Sequence, residues 1–301
     1  MEKFNLTRIA PTPSGFLHIG NVYSFLVTQS LAKKHNSKIL LRIDDLDKQR
    51  VKSKYIQDIF DTLDFLDINY DIGPKNLNDF EKNFSVHKRL DLYKGKIDEL
   101  IERKIVFSCD CSRNKIEKMH PRGFYTGYCL NRDLPLTMPG TNLRIQLPAK
   151  QEIKINTFEG EVIRKISGIL RDFVIRKKDG LPAYQLQSVV DDIHYGVDLI
   201  VRGKDLWDSS LAQTYLATRF GENRFSDTTF HHHELIMGNK KEKLSKSAGA
   251  TSIQYLRKKG MKKEDIFLLL GKMLGYKEAI RNLGDFSFAY FENAKKKLEV
   301  K

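Results

Sequence analysis

The order of apolar segments near the N-terminus constrains the fold of this chain most strongly. Residues 4–10 alternate apolar and polar side chains, as a short strand does, and a loop rich in proline and glycine follows them. Helical apolar spacing over residues 21–35, a continuous apolar run at 38–43 and helical spacing again at 53–67 come next. A strand, a helix, a strand and a helix in this order predict an α/β fold with a parallel sheet and crossover helices.

The later part of the chain changes in composition and predicts an insertion into this core. A stretch rich in Gly, Pro and Arg extends to about Gly140. The elements that we predict after Gly73 are a helix at 86–104, strands at 142–147, 152–157, 172–192 and 198–206, a helix at 208–220 and helices over 251–301. We assign the first half of the core to 1–75, an inserted subdomain to 76–168, the second half of the core to 169–235 and a helical, basic C-terminal region to 236–301.

The net charge of the chain indicates a polyanionic partner. Lys and Arg total 52 against 38 Asp and Glu, which gives +14, and residues 231–301 alone carry 16 basic and 8 acidic side chains. A basic surface of this kind attracts nucleic acid over a Debye length. A lysine-rich surface that serves no dedicated partner is the alternative.

Cysteine usage and hydropathy favour a cytoplasmic protein, which we expect to be monomeric. Three cysteines in 301 residues do not make a disulfide scaffold, and this favours a reducing compartment. The longest apolar cluster, at 266–270, falls far short of the roughly 18 residues that a membrane helix needs. The N-terminus has neither a basic region nor an apolar core, so we expect no secretory signal.

The loop after the first predicted strand has the residues of a phosphate-binding turn. It reads PTPSGFLHIGN, and His18 and Gly20 lie at the start of the following helix. Glycine lets the backbone approach a ligand closely, and a helix N-terminus presents N–H groups and the positive end of its dipole. Because an imidazole here can donate to a phosphate, His18 and Gly20 are candidate ATP ligands. A loop that only caps the helix is the alternative.

A second cationic loop lies nearer the C-terminus. The sequence GNKKEKLSKSAGA places Lys243 and Lys246 three residues apart among small side chains. Mobile lysines can neutralise a triphosphate in a transition state, although most lysine-rich loops are solvated turns. The two loops together favour ATP-dependent chemistry, with His18 and Lys246 as catalytic residues on the phosphates and Mg²⁺ accompanying the nucleotide.

These two loops resemble the ATP-binding signatures of class I aminoacyl-tRNA synthetases. The longer series RIAPTPSGFLHIG, LLRIDDLD, DGLPAYQLQSVVDD, IVRGKDL and KLSKS is similar to the glutamate branch of that family from about residue 4 to 250. The resemblance implies a Rossmann-like catalytic core that activates L-glutamate as glutamyl-adenylate and transfers the glutamyl group to a tRNA.

Within this branch, two features are similar to the glutamyl-queuosine tRNA(Asp) synthetases, which attach glutamate to a queuosine base in the anticodon of tRNA(Asp). Only 54 residues follow Ser247, fewer than the helical anticodon-binding region of glutamyl-tRNA synthetases needs. The motif RGKDL at 202–206 also lacks the Glu-Asp-His ending of those enzymes. The anticodon stem-loop of tRNA(Asp) is therefore the implied partner.

The resemblance also implies the residues that bind glutamate. Arg8 and Arg202 supply the cations, because a planar guanidinium can bind a carboxylate bidentately. Asp44 supplies the anion for the α-amino group, at a position where the family usually has the longer Glu. By the same match, Thr12 and Tyr184 line the amino-acid site.

Three cysteines predict a structural zinc site. Cys109 and Cys111, with Cys129 later in the chain, offer three of the four thiolate or imidazole ligands of a tetrahedral ion. Chemistry alone offers His120 as the fourth ligand. The queuosine-tRNA paralogues instead have a Cys-x-Cys and Tyr-x3-Cys pattern, which implies Tyr125. Three unrelated buried thiols are the alternative.

Other conspicuous polar residues are expected to have structural roles. The histidines at 231–233 alternate between the faces of a strand, so they cannot converge on one metal, and one of them is expected to face ATP. The aspartates at 191–192 are expected to end a strand. Asp45 and Asp47 are expected to hold Arg42 or the surrounding loop.

Three other functions fit parts of this pattern. The nearest is a glutamyl-tRNA synthetase that charges tRNA(Glu). A non-catalytic tRNA-binding paralogue is disfavoured because a pure binder does not require His18, Lys246 and the two arginines together. A small-molecule nucleotidyltransferase shares the two loops, but the cysteine-bearing insertion and the glutamate-type arginines disfavour it.

Overall fold

The computed structural model describes residues 3–148, 150–236 and 252–299 of the chain. The strands are β1 (Leu6–Ile9), β2 (Lys38–Leu41), β3 (Val106–Cys109), β4 (Asn142–Ile145), β5 (Glu152–Thr157), β6 (Gly160–Lys165), β7 (Val174–Arg176), β8 (Leu199–Gly203) and β9 (Thr229–His233). The helices are α1 (Ile19–His35), α2 (Ser53–Phe65), α3 (Leu77–Asp79), α4 (Leu90–Glu102), α5 (Arg113–Met119), α6 (Tyr184–Tyr195), α7 (Trp207–Ala217), α8 (Ile253–Lys258), α9 (Lys263–Met273) and α10 (Leu283–Glu299).

The chain divides into two compact units, each assembled from separate stretches of sequence. Unit 1 comprises Met1–Lys88, Val201–Lys204 and His232–Lys301, and unit 2 comprises Arg89–Ile200 and Asp205–His231. The strands form a six-stranded sheet of order β2-β1-β8-β9-β5-β6 and a three-stranded sheet of order β3-β4-β7. The mixed sheet and its crossover helices confirm the predicted α/β fold.

In unit 1, β1 and β2 form the parallel pair that the sequence predicts. Leu6 lies opposite Lys38, and Ile9 lies opposite Leu41. All four residues of β1 are buried, as expected for a parallel strand that is covered on both faces. The crossover helix α1 joins the two strands, and Val27 near its centre is fully buried. The N-terminal βαβ pattern is therefore confirmed.

Unit 2 combines antiparallel pairs with a deeply buried helix. β4 pairs antiparallel with β3 and with β7, and β5 pairs antiparallel with β6. Two residues of β5 also pair in parallel with β9. Helix α6 is buried continuously from Gln185 to Asp192.

That buried helix corrects one prediction from the sequence. The predicted strand over 172–192 contains only the short strand β7, and the segment from Tyr184 onward is α6. The apolar residues of this segment, Leu186, Val189, Val190 and Ile193, recur at the i, i+3, i+4 and i+7 positions of a helix, so their period favours α6 over the predicted strand. Asp191 and Asp192 therefore lie inside a helix and do not end a strand.

Within the described ranges, no helix combines the length and the apolar character that a membrane span needs.

Candidate functional site

His18 begins the first helix and caps it. Its Nδ1 accepts a hydrogen bond from the Gly20 backbone N–H at 3.1 Å, and the His18 N–H donates to Oδ1 of Asn21 at 3.0 Å. This reciprocal capping box satisfies donors that the first turn of a helix leaves without intrahelical partners. Because Nδ1 is the acceptor, the neutral ring carries its proton on Nε2, and Nε2 is the atom that can donate to a phosphate.

The glycine at position 20 is explained by the position of that ring. A Cβ on Gly20 would lie 3.0 Å from both Cε1 and Nδ1 of His18, which is tighter than nearly all real contacts. A side chain here would push the imidazole away from the N–H group that it caps. The His-x-Gly spacing is therefore a property of local packing, and this is why the sequence alone could reveal the turn.

The residue before His18 is held from two sides by elements that are distant in sequence. The Leu17 N–H donates to Oδ2 of Asp58 on α2 at 2.8 Å, and the Leu17 carbonyl oxygen accepts from the Ile253 N–H at 2.8 Å. His18 and Ser252 form an antiparallel bridge at the same place, and Ser252 is also the N-cap of α8. The turn that carries His18 is thereby connected to the first described helix of the C-terminal region.

Two buried arginines lie on neighbouring strands. Arg8 on β1 donates from Nη1 to the Val201 carbonyl oxygen at 3.1 Å, and Arg202 is the next residue of β8. Both arginines are buried. The two cations that the family resemblance assigns to glutamate therefore lie on neighbouring strands of unit 1, and their role in binding an anion stays a prediction.

Asp44 is bound by a third buried arginine. Nε of Arg42 lies 2.9 Å from Oδ1 of Asp44, and Nη2 lies 3.3 Å from Oδ2. The Asp44 N–H donates to the Pro11 carbonyl oxygen at 3.0 Å, which fixes the chain at the end of β2. The role of Asp44 in binding the α-amino group of glutamate stays a prediction.

Of the two roles expected for Asp45 and Asp47, holding the surrounding chain is the one observed, and neither aspartate binds Arg42. Arg42 binds Asp44, whereas Asp45 accepts from the Ser85 hydroxyl at 2.6 Å and from the Val86 N–H at 2.7 Å. Oδ2 of Asp47 lies 3.5 Å from Nε of Arg50, an exposed arginine of the same loop. Consecutive side chains of an extended segment point in different directions, and the sequence does not show which of them faces a given cation.

The other predicted site residues have separate locations. Thr12 is exposed in the loop between β1 and α1. Tyr184 is the exposed first residue of α6 and belongs to unit 2. Lys243 and Lys246 lie outside the described residues. The predicted site residues that unit 1 collects are Arg8, Thr12, His18, Gly20, Asp44 and Arg202, and their roles stay predictions.

In unit 2 the three cysteines converge. The Sγ atoms of Cys109, Cys111 and Cys129 all lie within 4.8 Å of one another, and the three residues are buried. Three thiols at this spacing match three corners of a tetrahedral site, so the donor set fits a structural zinc ion. Across the described ranges this is the only cluster of His, Cys, Asp and Glu whose spacing suits a metal.

Tyr125 lies against these thiols, whereas His120 does not. The buried Tyr125 hydroxyl accepts from the Cys129 N–H at 2.7 Å. The His120 ring stacks on Phe124 with centroids 3.7 Å apart, and its Nδ1 accepts from the Arg122 N–H at 3.1 Å. The geometry therefore favours the Tyr125 oxygen as the fourth ligand over the imidazole that chemistry alone offered.

A buried arginine sets the charge of the thiol cluster. The guanidinium carbon of Arg144 lies 3.8 Å from the centroid of the Tyr125 ring. Burial raises the pKa of the Cys109 thiol, but the hydrogen bond and charge of Arg144, together with hydrogen bonds from the Cys111 N–H and the Cys129 thiol, bring this pKa below its usual value. Burial and the neighbouring thiols raise the pKa of Cys111 to about 12. One thiol of the cluster is therefore stabilised as the thiolate that binds a metal.

The histidines of β9 and the aspartates of α6 have structural contacts. His233 packs edge-on against Tyr23, with ring centroids 4.7 Å apart. Nε of Arg89 lies 2.9 Å from Oδ1 of Asp191, and the Tyr93 hydroxyl donates to the same oxygen at 2.7 Å. Asp191 is fully buried. Its ion pair with Arg89 connects the start of α4 to α6 inside unit 2.

Sequence reasoning missed two residues beside these sites, Asp58 and Arg144. Their contacts join segments apart in the chain, and Asp58 and Leu17 are separated by 41 positions. A weak signal existed in each case, since Asp58 lies on the buried face of α2 and Arg144 lies between two buried apolar residues of β4. A charged residue on a buried face needs a partner, but the sequence does not identify that partner.

A comparison with protein families matches this chain to the tRNA synthetases class I (E and Q), catalytic domain, over residues 6–134 and 136–287. The match covers the βαβ unit, the cysteine-bearing segment and most of the described C-terminal helices.

Individual relatives have related names. The chain is 34% identical over 247 residues to a glutamyl-Q tRNA(Asp) synthetase of Pseudomonas putida, which covers 82% of this chain and 77% of that protein. It is 31% identical over 264 residues to a glutamate–tRNA ligase of Syntrophus aciditrophicus, where the match covers 84% of this chain but 52% of the relative. The chain thus spans about half the length of several of the ligases that it matches.

A solved structure has the same fold. A glutamate tRNA ligase from Elizabethkingia meningosepticum, determined in complex with its amino acid, superimposes with a TM-score of 0.74 at 22% identity. The match covers 95% of this chain and 64% of that one. At this identity the similarity supports the shared fold.

Proposed function

Because this chain belongs to the class I tRNA synthetases of the glutamate and glutamine branch, we propose that it activates L-glutamate with ATP and transfers the glutamyl group to the queuosine base in the anticodon of tRNA(Asp). The observation that carries the choice of acceptor is the position of the Tyr125 hydroxyl beside Cys129, within the cluster of three thiols. This is the Cys-x-Cys and Tyr-x3-Cys pattern of the glutamyl-queuosine paralogues. The 34% identity to a glutamyl-Q tRNA(Asp) synthetase supports the same choice.

In the first proposed step, an oxygen of the glutamate α-carboxylate attacks the α-phosphorus of ATP. The bond from that phosphorus to the bridging oxygen breaks, pyrophosphate leaves, and glutamyl-adenylate is formed. His18 donates from Nε2 to a phosphate oxygen, and Lys246 neutralises the charge that develops on the leaving pyrophosphate. Mg²⁺ supplies further positive charge to the nucleotide when it is bound.

Substrate recognition in this proposal rests on charge. Arg8 and Arg202, on adjacent strands, hold glutamate through its side-chain carboxylate. Asp44 accepts from the α-ammonium group. Thr12 and Tyr184 complete the amino-acid site. Catalysis depends on positioning and on neutralising charge, so no side chain forms a covalent intermediate.

In the second proposed step, a cyclopentenediol hydroxyl of queuosine attacks the carbonyl carbon of glutamyl-adenylate. An ester bond forms, AMP leaves, and the hydroxyl proton passes to solvent or to the departing phosphate. A zinc ion held by Cys109, Cys111, Cys129 and Tyr125 would stabilise the inserted subdomain. Of the four predicted segments, 1–75 and 169–235 would form the catalytic core, 76–168 its insertion and 236–301 the region that faces the RNA.

A charging enzyme for tRNA(Glu) is the second candidate. The chain is 31% identical to the glutamate–tRNA ligase of Syntrophus aciditrophicus and 32% identical to a glutamate–tRNA ligase of Syntrophotalea carbinolica. These similarities favour the second candidate. The two functions share activation and differ in the acceptor, so they are separated by the RNA that is labelled.

The deciding experiment is transfer of labelled glutamate, with ATP, to three RNAs in parallel: tRNA(Asp) that contains queuosine, the same tRNA without queuosine, and tRNA(Glu). We expect acid-precipitable label only on the first. Label on tRNA(Glu) would establish the charging enzyme instead. The Lys246→Ala variant is expected to abolish exchange between ATP and pyrophosphate. An unchanged exchange rate would count against both of these catalytic functions.

A further inference from the structure

Two tyrosines near the cysteine cluster differ in exposure. Tyr125 is 3% exposed and packs in the cluster of Phe107 and the three cysteines. Tyr128, three residues later and next to Cys129, is 51% exposed. Tyrosine is enriched at binding interfaces, because its ring offers apolar area and its hydroxyl can stay hydrated.

Two cations flank the exposed ring. Nζ of Lys115, on α5, lies 4.1 Å from the centroid of the Tyr128 ring, and the guanidinium carbon of Arg132 lies 5.2 Å from it. Arg132 is fixed in place, because its Nη1 lies 2.7 Å from Oδ1 of Asp110 and 3.4 Å from Sγ of Cys129. The ring and its arginine are therefore positioned by the same loops that carry the thiols.

The surrounding surface is cationic. Residues 110–132 contain five Lys or Arg and two acidic residues. Nζ of Lys178 donates to the Asp110 carbonyl oxygen at 2.9 Å, and the carboxylate of Asp110 is itself bound by Arg132. An exposed aromatic ring flanked by a lysine and an arginine has the composition of a site for a base and its adjacent phosphates.

We propose that Tyr128, with Lys115 and Arg132, is a stacking platform for an unpaired RNA base. The base stacks on the phenol ring, while the lysine ammonium moves from the ring to a phosphate and the guanidinium remains in place. This inference deepens the proposed function and rests on it for the presence of an RNA substrate. An acidic protein partner would bind the cations without needing the ring. Variants that remove only the ring therefore separate an RNA base from an acidic protein as the occupant of this site.

The test measures binding of the full chain to a fluorescent hairpin with the sequence of the tRNA(Asp) anticodon arm, by anisotropy. Tyr128→Ala and Tyr128→Leu are expected to weaken binding by roughly 5- to 150-fold, because stacking on an aromatic side chain is worth about 1–3 kcal/mol per base. Tyr128→Phe keeps the ring and is expected to bind like the wild type. Lys115→Gln is expected to reduce the slope of the logarithm of the binding constant against the logarithm of the salt concentration by about one, which corresponds to the loss of one phosphate contact.

Two controls make the result specific. Ile163→Ala removes an apolar side chain of similar exposure, 52%, from β6 of the same unit, and we expect it to leave hairpin affinity unchanged. The fluorescence of 2-aminopurine placed in the hairpin loop reports stacking directly, and we expect quenching by the wild type and by Tyr128→Phe only. Thermal midpoints establish that each variant is folded.

Each outcome has a defined meaning. If Tyr128→Ala binds the hairpin as tightly as the wild type while glutamate transfer to RNA persists, the platform is wrong and the proposed function stands. If Tyr128→Ala weakens binding to a fully paired duplex as much as to the hairpin, recognition of unpaired bases is wrong. If the wild type binds no RNA and transfers no glutamate, both proposals are overturned.

Discussion

At the scale of single residues, His18 combines two tasks in one ring. Nδ1 caps the first helix by accepting from the Gly20 N–H, and this leaves the proton on Nε2. The cap stabilises the start of α1, and the proposed catalytic role needs only the donor on the other nitrogen. Substitutions can therefore separate the structural contribution of the residue from its chemical contribution.

We predict that His18→Ser keeps the cap and loses the donor. Glutamate-dependent exchange between ATP and pyrophosphate is expected to fall by about 100-fold or more, as when a donor to a developing charge is removed. The free energy of unfolding in urea is expected to stay near the wild-type value, because serine is a good N-cap. His18→Ala is expected to lose the same activity and about 1 kcal/mol of stability. Exchange that persists in His18→Ser would restrict His18 to capping.

At the scale of elements, Asp58 joins α2 to the turn that precedes α1. Its Oδ2 accepts from the Leu17 N–H, and its Oδ1 is buried without a hydrogen-bond partner among the described residues. Burial raises the pKa of this carboxyl group; the Leu17 N–H opposes the rise, the nearby Asp61 adds to it and Arg257 reduces it. The position of the His18 turn thus depends on a carboxyl group whose charged form is disfavoured.

The sign of the pH dependence follows from that shift. Because the pKa of Asp58 is higher in the folded state, the folded protein binds more protons above the usual carboxyl range, and this contribution to stability is lost as pH rises through the folded pKa. Asp58→Asn keeps an acceptor for Leu17 and does not titrate. We therefore expect the unfolding free energy of Asp58→Asn, relative to the wild type, to rise between about pH 4 and 7.

Asp58→Ala provides the contrast, since it removes the acceptor altogether. Leaving the buried Leu17 N–H without a partner is expected to cost about 1–3 kcal/mol and to raise the KM for ATP, because the His18 turn loses one of its two anchors. Urea unfolding at several pH values and exchange kinetics measure both effects. A difference between Asp58→Asn and the wild type that does not change with pH would contradict the proposed burial of charge.

At the scale of the whole molecule, each unit carries its own predicted site. The predicted active-site residues of unit 1 are held by strand pairing and by the buried side chains of Arg42 and Asp58, whereas the segment of unit 2 around Cys109 collects three thiols and a tyrosine in one apolar cluster. A bound zinc ion would add stability to unit 2 because the unfolded chain lacks a preformed site.

Metal removal is therefore expected to act locally. Hydrogen exchange followed by mass spectrometry, with and without a chelator, is expected to show lost protection over β3, α5 and β4 and unchanged protection over α1. Cys129→Ser should reproduce the effect without chelator. Ser108→Ala, which removes the buried hydroxyl that donates to the Pro135 carbonyl oxygen, should keep the metal response. Equal loss of protection in α1 would contradict a local structural role for the metal.

The sequence by itself determined the order of most helices and strands, the helix-capping turn at His18 and the spacing of the three cysteines. These features depend on residues within a few positions of each other, and so local propensity and side-chain spacing reveal them. The family resemblance also pointed to Arg8 and Arg202, which the sheet then placed on adjacent strands.

Only the tertiary structure decided which distant groups meet. It showed that Arg42 binds Asp44, that Asp58 holds Leu17, and that Arg144 lies on Tyr125 beside the thiols. It also showed that α6 is buried continuously from Gln185 to Asp192, polar side chains included. The physical reason is the same in each case: the partner and the burial of a polar side chain are set by packing between segments far apart in the chain, and local spacing does not report them.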